Sequence, residues 1–309
     1  MGVFVFLPLF LPLTAWPVAR LAEHRLHPRT ATRLLAAVAA VLAVCSTLCL
    51  ALLMVVGTAQ LPGNPLPDGW SDPEVRAAVP YDEVAGVAAI PALLTVLTSC
   101  AGALWRHLRV RRRAGRALAG LRTGPVAVLP DAEPYAYALP GRPGRIVVSS
   151  GMLAGLTAGE RRALFAHERA HLAGRHHRFL LAVQLAARAN PFLRPLRTAV
   201  TFTVERWADE EAAARTGSRR TVAVAVGKSA LRSRGAPVAT LAHFAAGPVP
   251  RRVAALLAPA PAARAWPPAF TAVWLALWAA ACGAAASALS SANAAVTLIA
   301  ILHAATLPA

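Results

Sequence analysis

Residues 157–171 read TAGERRALFAHERAH, and the reading of the whole chain turns on them. Thr157 followed by Glu160 is a capping-box pattern, in which each side chain bonds the other's backbone N–H. It predicts a helix that starts at Thr157 and runs to about His177. His167 and His171 are then i,i+4 and share one helix face. Two imidazoles so placed can bind one Zn²⁺ at ~2.0–2.1 Å. Glu168 stands beside the first of them, off the ligand pair, where a carboxylate acts on water as a general base. A polar stripe on a surface helix would also read His-Glu-x-x-His. The following His176-His177, read as solvated or membrane-proximal, fits that blander alternative.

A catalytic Zn²⁺ needs a third protein ligand and an open position. Downstream lies Glu205-Arg206-Trp207-Ala208-Asp209-Glu210-Glu211, and Gly217 marks the end of its helix. Glu205 and Asp209 are again i,i+4. Glu205 is the expected third ligand, giving one Zn²⁺ per chain held by His167, His171 and Glu205. Asp209, one turn along, is expected to hydrogen-bond the far nitrogen of a ligating histidine and fix its tautomer. An acidic surface helix is the competing reading, and Glu210 and Glu211 suit it. Between 106 and 264, however, there are only eight acidic residues, and four fall in this heptad. Further on, Arg252 is the expected cation for the oxyanion of a tetrahedral intermediate, with His243 second. A basic surface helix would explain the same stretch.

Ahead of the helix, residues 124–149 hold short β-prone runs bounded by Gly and Pro, which predict a small antiparallel sheet. Ile146, Val147 and Val148 are the expected edge to which a substrate strand adds by main-chain pairing.

Composition places this unit beside a bilayer. Hydrophobic residues make up 57%, charged residues 15%, and the mean hydropathy is +0.51. That excludes disorder and argues against an ordinary soluble domain, whose charged share is roughly 25%. Stretches 2–19, 34–57, 84–105 and 267–289 are each apolar enough to cross a membrane, which takes about 20 residues. The first lacks a basic n-region and is read as a retained span. Residues 290–307 carry Ser290, Ser291 and Asn293 and are read as an interfacial helix or a fifth span. Segment 178–200, interrupted at Asn190-Pro191, is too broken to span and is expected to lie in the interface beside the active site. The expected organisation is three spans over 1–105, a zinc domain over 106–264, and the last span with its added helix over 265–309. The fold class is mainly α and multi-pass, with an α+β unit inserted between spans.

Charge orients it. Loop 20–33 has four arginines against Glu23, loop 58–83 has five acids against Arg76, and segment 106–264 has 27 basic and 8 acidic residues. By the positive-inside rule, 20–33 and 106–264 are cytoplasmic, while 58–83 and the N-terminus are external. The net charge of +18 is thus mostly that of one cytoplasmic unit beside an anionic leaflet. The arginine run 106–116 has no aromatic interleaving, so no nucleic-acid partner is expected. Cys45, Cys49, Cys100 and Cys282 lie in apolar runs, and neither a disulfide nor a thiolate site is expected.

These motifs resemble the gluzincin membrane peptidases. Residues 135–177, with RIVVSSGML and LTAGERRALFAHERAHLAGRHH, and the later ERWADEEAA are similar to two branches. One is the BlaR/MecR-type antirepressor peptidases; the other is the HtpX and CAAX-prenyl-protease type. Three spans before the unit and one after suit the first better, but no penicillin-binding sensor domain is expected. The resemblance covers roughly 120–255. It implies a zinc endopeptidase of the bacterial plasma membrane that cuts a cytoplasmic or membrane-proximal protein, in regulatory cleavage or in quality control. A non-catalytic membrane regulator is the alternative.

Overall fold

The computed structural model describes residues 5–64, 66–71, 82–117, 124–232, 248–261 and 268–306. His243, residues 65 and 72–81 of loop 58–83, and part of the linker 258–268 lie outside them. Three helices are long and apolar enough to cross a membrane: α3 (Pro28–Ala59), α4 (Asp82–Ala117) and α11 (Ala272–Ala304). Each runs to roughly 50 Å at 1.5 Å per residue, well beyond a ~30 Å hydrocarbon core. The surplus on α4 carries the arginines of 106–116, so the expected boundary at 105 falls inside one continuous helix. Val44 and Leu48 on α3, Leu94, Leu97 and Trp105 on α4, and Leu275, Leu289 and Val296 on α11 are exposed. An apolar belt of that extent is what a bilayer would cover.

Two expectations about spans change. The first span is not one helix. It divides into α1 (Leu7–Phe10), a 3₁₀ turn (Leu11–Thr14) and α2 (Ala15–Arg25). Pro8, Pro12 and Pro17 each remove an N–H from the ladder. The segment still runs along α3: Val5 packs with Leu53 and Val56, while Ala15, Ala19 and Ala22 pack with Leu35 and Leu42. At the other end of the chain there is neither an interfacial helix nor a fifth span. Residues 290–304 continue α11: Ser291 is buried and lies 3.5 Å from Cys49 Sγ, while Asn293 is exposed on the same unbroken helix.

The sheet is mixed rather than antiparallel. Strand β1 (Val126–Leu129) pairs in parallel with β3 (Arg145–Ser149), and β2 (Ala136–Leu139) pairs with β3 antiparallel. The order β1-β3-β2 makes β3 the central strand. The Pro140–Gly144 turn joins β2 directly to β3, which leaves β1 only the opposite edge. Ile146, Val147 and Val148 are accordingly buried, and they are paired on both sides. They cannot be the docking edge expected from the sequence; β2 is an edge strand, and it packs against α6.

After the short α5 (Ser150–Ala154) comes α6 (Ala158–Ala173), whose capping box is formed. Thr157 N donates to Glu160 Oε2 at 2.8 Å, and Glu160 N donates to Thr157 Oγ1. The helix stops short of His177. Arg175 adopts φ 51°, a left-handed conformation uncommon outside glycine, and starts α7 (His176–Ala189) in a new direction. A 3₁₀ turn (Pro191–Leu193) then leads into α8 (Arg194–Thr216), closed by Gly217 at φ 72°. Helices α9 (Arg219–Arg232) and α10 (Val249–Leu257) complete the unit.

The α7–α8 hairpin packs among the long apolar helices. Val183, Leu193, Leu196, Val200 and Val204 share a core with Leu35, Leu42 and Leu277 of the spanning helices. At its tip the Asn190 amide donates to Leu9 O and to Ser46 Oγ, while its Oδ1 accepts from Phe192 N. Ser46 is roughly 27 Å along α3 from Pro28. The tip therefore reaches the middle of the bundle, and its broken backbone is satisfied by Asn190 rather than by water. The expected zinc unit is not a separate body: one of its two ligand-bearing helices is rooted among the spans.

Candidate metal centre

Helices α6 and α8 cross so that His167, His171 and Glu205 converge, all buried, with one ligand atom from each within 4.8 Å of the others. His167 Nε2 and His171 Nε2 are 3.0 Å apart. Glu205 Oε2 lies 3.5 Å from the first and Oε1 3.6 Å from the second. Ligands at ~2.05 Å on tetrahedral Zn²⁺ stand about 3.3 Å apart. The triangle therefore fits such an ion, and two imidazoles with a carboxylate are a donor set that zinc takes. Glu168 is buried next to it, and no side chain hydrogen-bonds its carboxylate, which only the Ala138 backbone amide approaches. Burial pushes the Glu168 carboxyl up to about 7, against the lowering pull of His167 and Arg252.

Asp209 stands behind the triangle, its Oδ1 2.9 Å from His167 Nδ1. That turns Nε2 toward the metal position, the arrangement in which an outer carboxylate orients a ligating histidine. Burial alone would raise Asp209. The Arg252 guanidinium and His167 more than reverse this and hold it well below the usual carboxylate range.

Arg252 was expected to face the substrate. It is instead fully buried behind the ligands. Its Nε and Nη2 donate to the two oxygens of Asp209 at 2.8 and 2.7 Å, and its Nη1 is 3.1 Å from Glu205 Oε2. This is a two-pronged ion pair on the carboxylates, out of reach of an oxyanion.

His176 is the functional residue that the sequence reading missed. The left-handed turn at Arg175 folds it back, so that its Nδ1 is 2.9 Å from His171 Nδ1 and its ring lies 4.4 Å from that of Trp207. Burial, with the neighbouring His167 and His177, lowers it to about 3, so it is neutral and can accept from His171 Nδ1–H. Each ligand imidazole thus has its own outer partner, Asp209 for His167 and His176 for His171. The start of α3 braces the same helix: Thr32 Oγ1 donates to Thr203 Oγ1 at 2.9 Å, and Arg29 and Arg33 stack on Trp207.

The sequence model of Peptidase family M48 matches residues 102–193. The match supports a membrane metallopeptidase. It takes in the end of α4, the sheet, α6 and α7 with His167, Glu168 and His171, and ends before Glu205. Comparisons with curated proteins and with solved structures found no match.

Two expected results follow from the geometry. Burial lowers the His167 pKa, but the Asp209 and Glu205 carboxylates more than offset this and raise it to about 9 without metal. The metal-free site thus keeps a proton on His167 at pH 7, and an arriving cation must displace it. Titration of Zn²⁺ into metal-free protein should release about one proton per ion, seen as a heat that changes with the ionisation enthalpy of the buffer. Apparent affinity should then fall about tenfold per pH unit below pH 9. The second concerns Asp209→Asn, which keeps the shape but loses the charge on His167. It should lower zinc affinity or turnover ~10–100-fold, measured by competition with a chromogenic chelator. Glu211→Gln, on the partly exposed face of the same helix, is the control and should change neither.

Proposed function

We propose that the chain is a membrane-embedded zinc endopeptidase that cuts a cytoplasmic or membrane-proximal protein. The convergence of His167, His171 and Glu205 beside an unpaired, buried Glu168 carries this reading. A purely structural metal site has no use for a base. A Zn²⁺ ion held by those three residues supplies Lewis acidity toward a peptide carbonyl and the attacking water. Glu168 accepts the proton of that water and returns it to the leaving amine. Asp209 and His176 hold the two imidazoles in the ligating tautomer. Substrate backbone pairs with the outer edge of β2, where the Ala138 amide already acts on Glu168.

The bilayer placement rests on the apolar belt and on the hairpin tip at mid-bundle. Loop charge puts the site on the cytoplasmic side, with 58–83 external. With the native cysteines removed, a cysteine at Ser71 should label with an impermeant reagent in intact cells, and one at Ser233 should not. Label at 233 would overturn the orientation.

The activity is tested by comparing the proteomes of a deletion strain complemented with wild-type protein or with Glu168→Gln. One protein that accumulates only with the variant marks regulatory cleavage of the antirepressor kind. Many partly unfolded membrane proteins mark quality control of the HtpX kind. Identical proteomes leave the non-catalytic regulator.

A further inference from the structure

Beside Glu168 the cleft opens into a chamber of about 630 Å³ between the end of α4, the β2–β3 turn and the start of α7. Its walls carry His107, Arg111, Arg142, Arg175, His177 and Arg178, and among the described residues no acidic one lines it. The catalytic cleft, lined by Glu168, His171 and Ala138, shares His107, Arg111, Pro140 and His177 with it, so the two are one continuous space. Among the described residues none of the four arginines is paired with a carboxylate. Arg111 is fixed in place by donating to Pro140 O at 3.2 Å, and His107 Nε2 is buried without a partner. Burial, with Arg111 and Arg178 next, lowers His177 to about 4. The chamber is thus a strongly positive hollow in which the His177 imidazole is uncharged.

Four unpaired guanidinium groups around a hollow repel one another and are arranged to be neutralised by an anion. The chain that turns through Pro140, Gly141 and Arg142 leads directly out of β2, the edge offered to substrate backbone. A polypeptide laid along that edge past Glu168 is carried into the chamber within a few residues. We propose that the chamber is a specificity subsite that takes an Asp or Glu side chain of the protein substrate a few residues from the bond that is cut. This rests on the peptidase reading above and adds to it the class of sequence selected. An anionic lipid headgroup would suit the charge as well. The continuity with the β2 edge and the Glu168 cleft favours the peptide.

The test uses full-length, zinc-loaded protein in neutral detergent, given a peptide library made from a whole-proteome digest, with cut sites read by mass spectrometry. Asp or Glu should be enriched about tenfold over Asn and Gln at one fixed position, the low end of a charge-assisted contact. The Arg142→Glu/Arg178→Glu double variant should turn that preference toward Lys and Arg. Cleavage without an acidic preference, or a preference unmoved by charge reversal, would overturn the subsite and leave the peptidase intact. No cleavage by wild type sinks the peptidase reading itself. Binding then judges the chamber alone, by anisotropy of labelled, end-blocked penta-glutamate against penta-glutamine. About tenfold tighter binding of the acidic peptide, lost in the double variant and weakened by salt, upholds an acidic-peptide site. Equal binding overturns it. So does displacement of penta-glutamate by phosphatidylglycerol but not by phosphatidylcholine, which would make the chamber a headgroup site.

Discussion

Replacing Glu168 with Gln should abolish proteolysis, lowering turnover by roughly 10²–10⁴-fold, the usual contribution of a positioned general base. Zinc content should stay at one ion per chain. The two halves of this expectation come from one geometry. The three atoms that fit a metal belong to His167, His171 and Glu205, and Glu168 is outside that triangle. Its carboxylate is buried and no side chain hydrogen-bonds it, so burial makes its charged form costly and pushes it toward a proton-accepting range near neutral pH. The amide removes the charge and the proton acceptor but keeps the shape, so folding should not suffer. Metal analysis and peptide turnover on the same purified sample decide it. Loss of zinc from folded Glu168→Gln protein would make Glu168 a ligand, and undiminished turnover would remove it from the chemistry. His167→Ala and Glu205→Ala should behave oppositely, losing the metal first.

What the sequence disclosed about this centre was the part set by local geometry. A helix puts i and i+4 on one face whatever surrounds it, so His167 with His171, and Glu205 with Asp209, could be paired on paper. The capping box is equally local, and Thr157 and Glu160 make both bonds. Features that depend on distant chain stayed hidden. His176 reads as a surface histidine until a left-handed Arg175 turns it back onto His171. Ile146–Val148 read as an edge because alternation cannot say which strand will lie in the middle. That follows from the Pro140–Gly144 turn, which places β2 against β3 and leaves β1 the other side. Ser290, Ser291 and Asn293 looked too polar to continue a span. Ser291 is acceptable there because it faces Cys49 rather than lipid.

The hairpin shows how the membrane and the centre are joined. Asn190-Pro191 is a helix break in any sequence reading, and a break suggests surface. Here Asn190 satisfies the freed backbone and side-chain groups of Leu9, Ser46 and Phe192, so the break can sit among the spans. Helix α8 then carries Glu205 and Asp209 from that apolar root to the crossing with α6. Glu23 of α2, paired with Arg251 next to Arg252, ties the opposite side. The centre is therefore held by the long apolar helices as much as by its own sheet.

Arg252→Met should destabilise the metal-free protein by about 3–5 kcal/mol, because it leaves two buried carboxylates without their cation. Met is of similar length and apolar, so the change removes charge more than volume. Asp209 loses both prongs of the guanidinium, and Glu205 loses the contact at 3.1 Å. At about 2–4 °C per kcal/mol for a chain of this size, Tm should fall by roughly 10 °C. Zinc should restore much of it, since the ion repays charge on Glu205 and, through His167, on Asp209. The Tm gap between wild type and variant should therefore be smaller with metal than without. Arg252→Lys keeps a cation but not the fork that grips both oxygens of Asp209, and should fall between the two. An arginine that served the oxyanion would behave differently: Tm would hold with or without zinc, while kcat alone collapsed. The burial of Arg252 and the direction of its three nitrogens predict the first pattern. Melting curves of full-length protein, metal-free and zinc-loaded, separate the two.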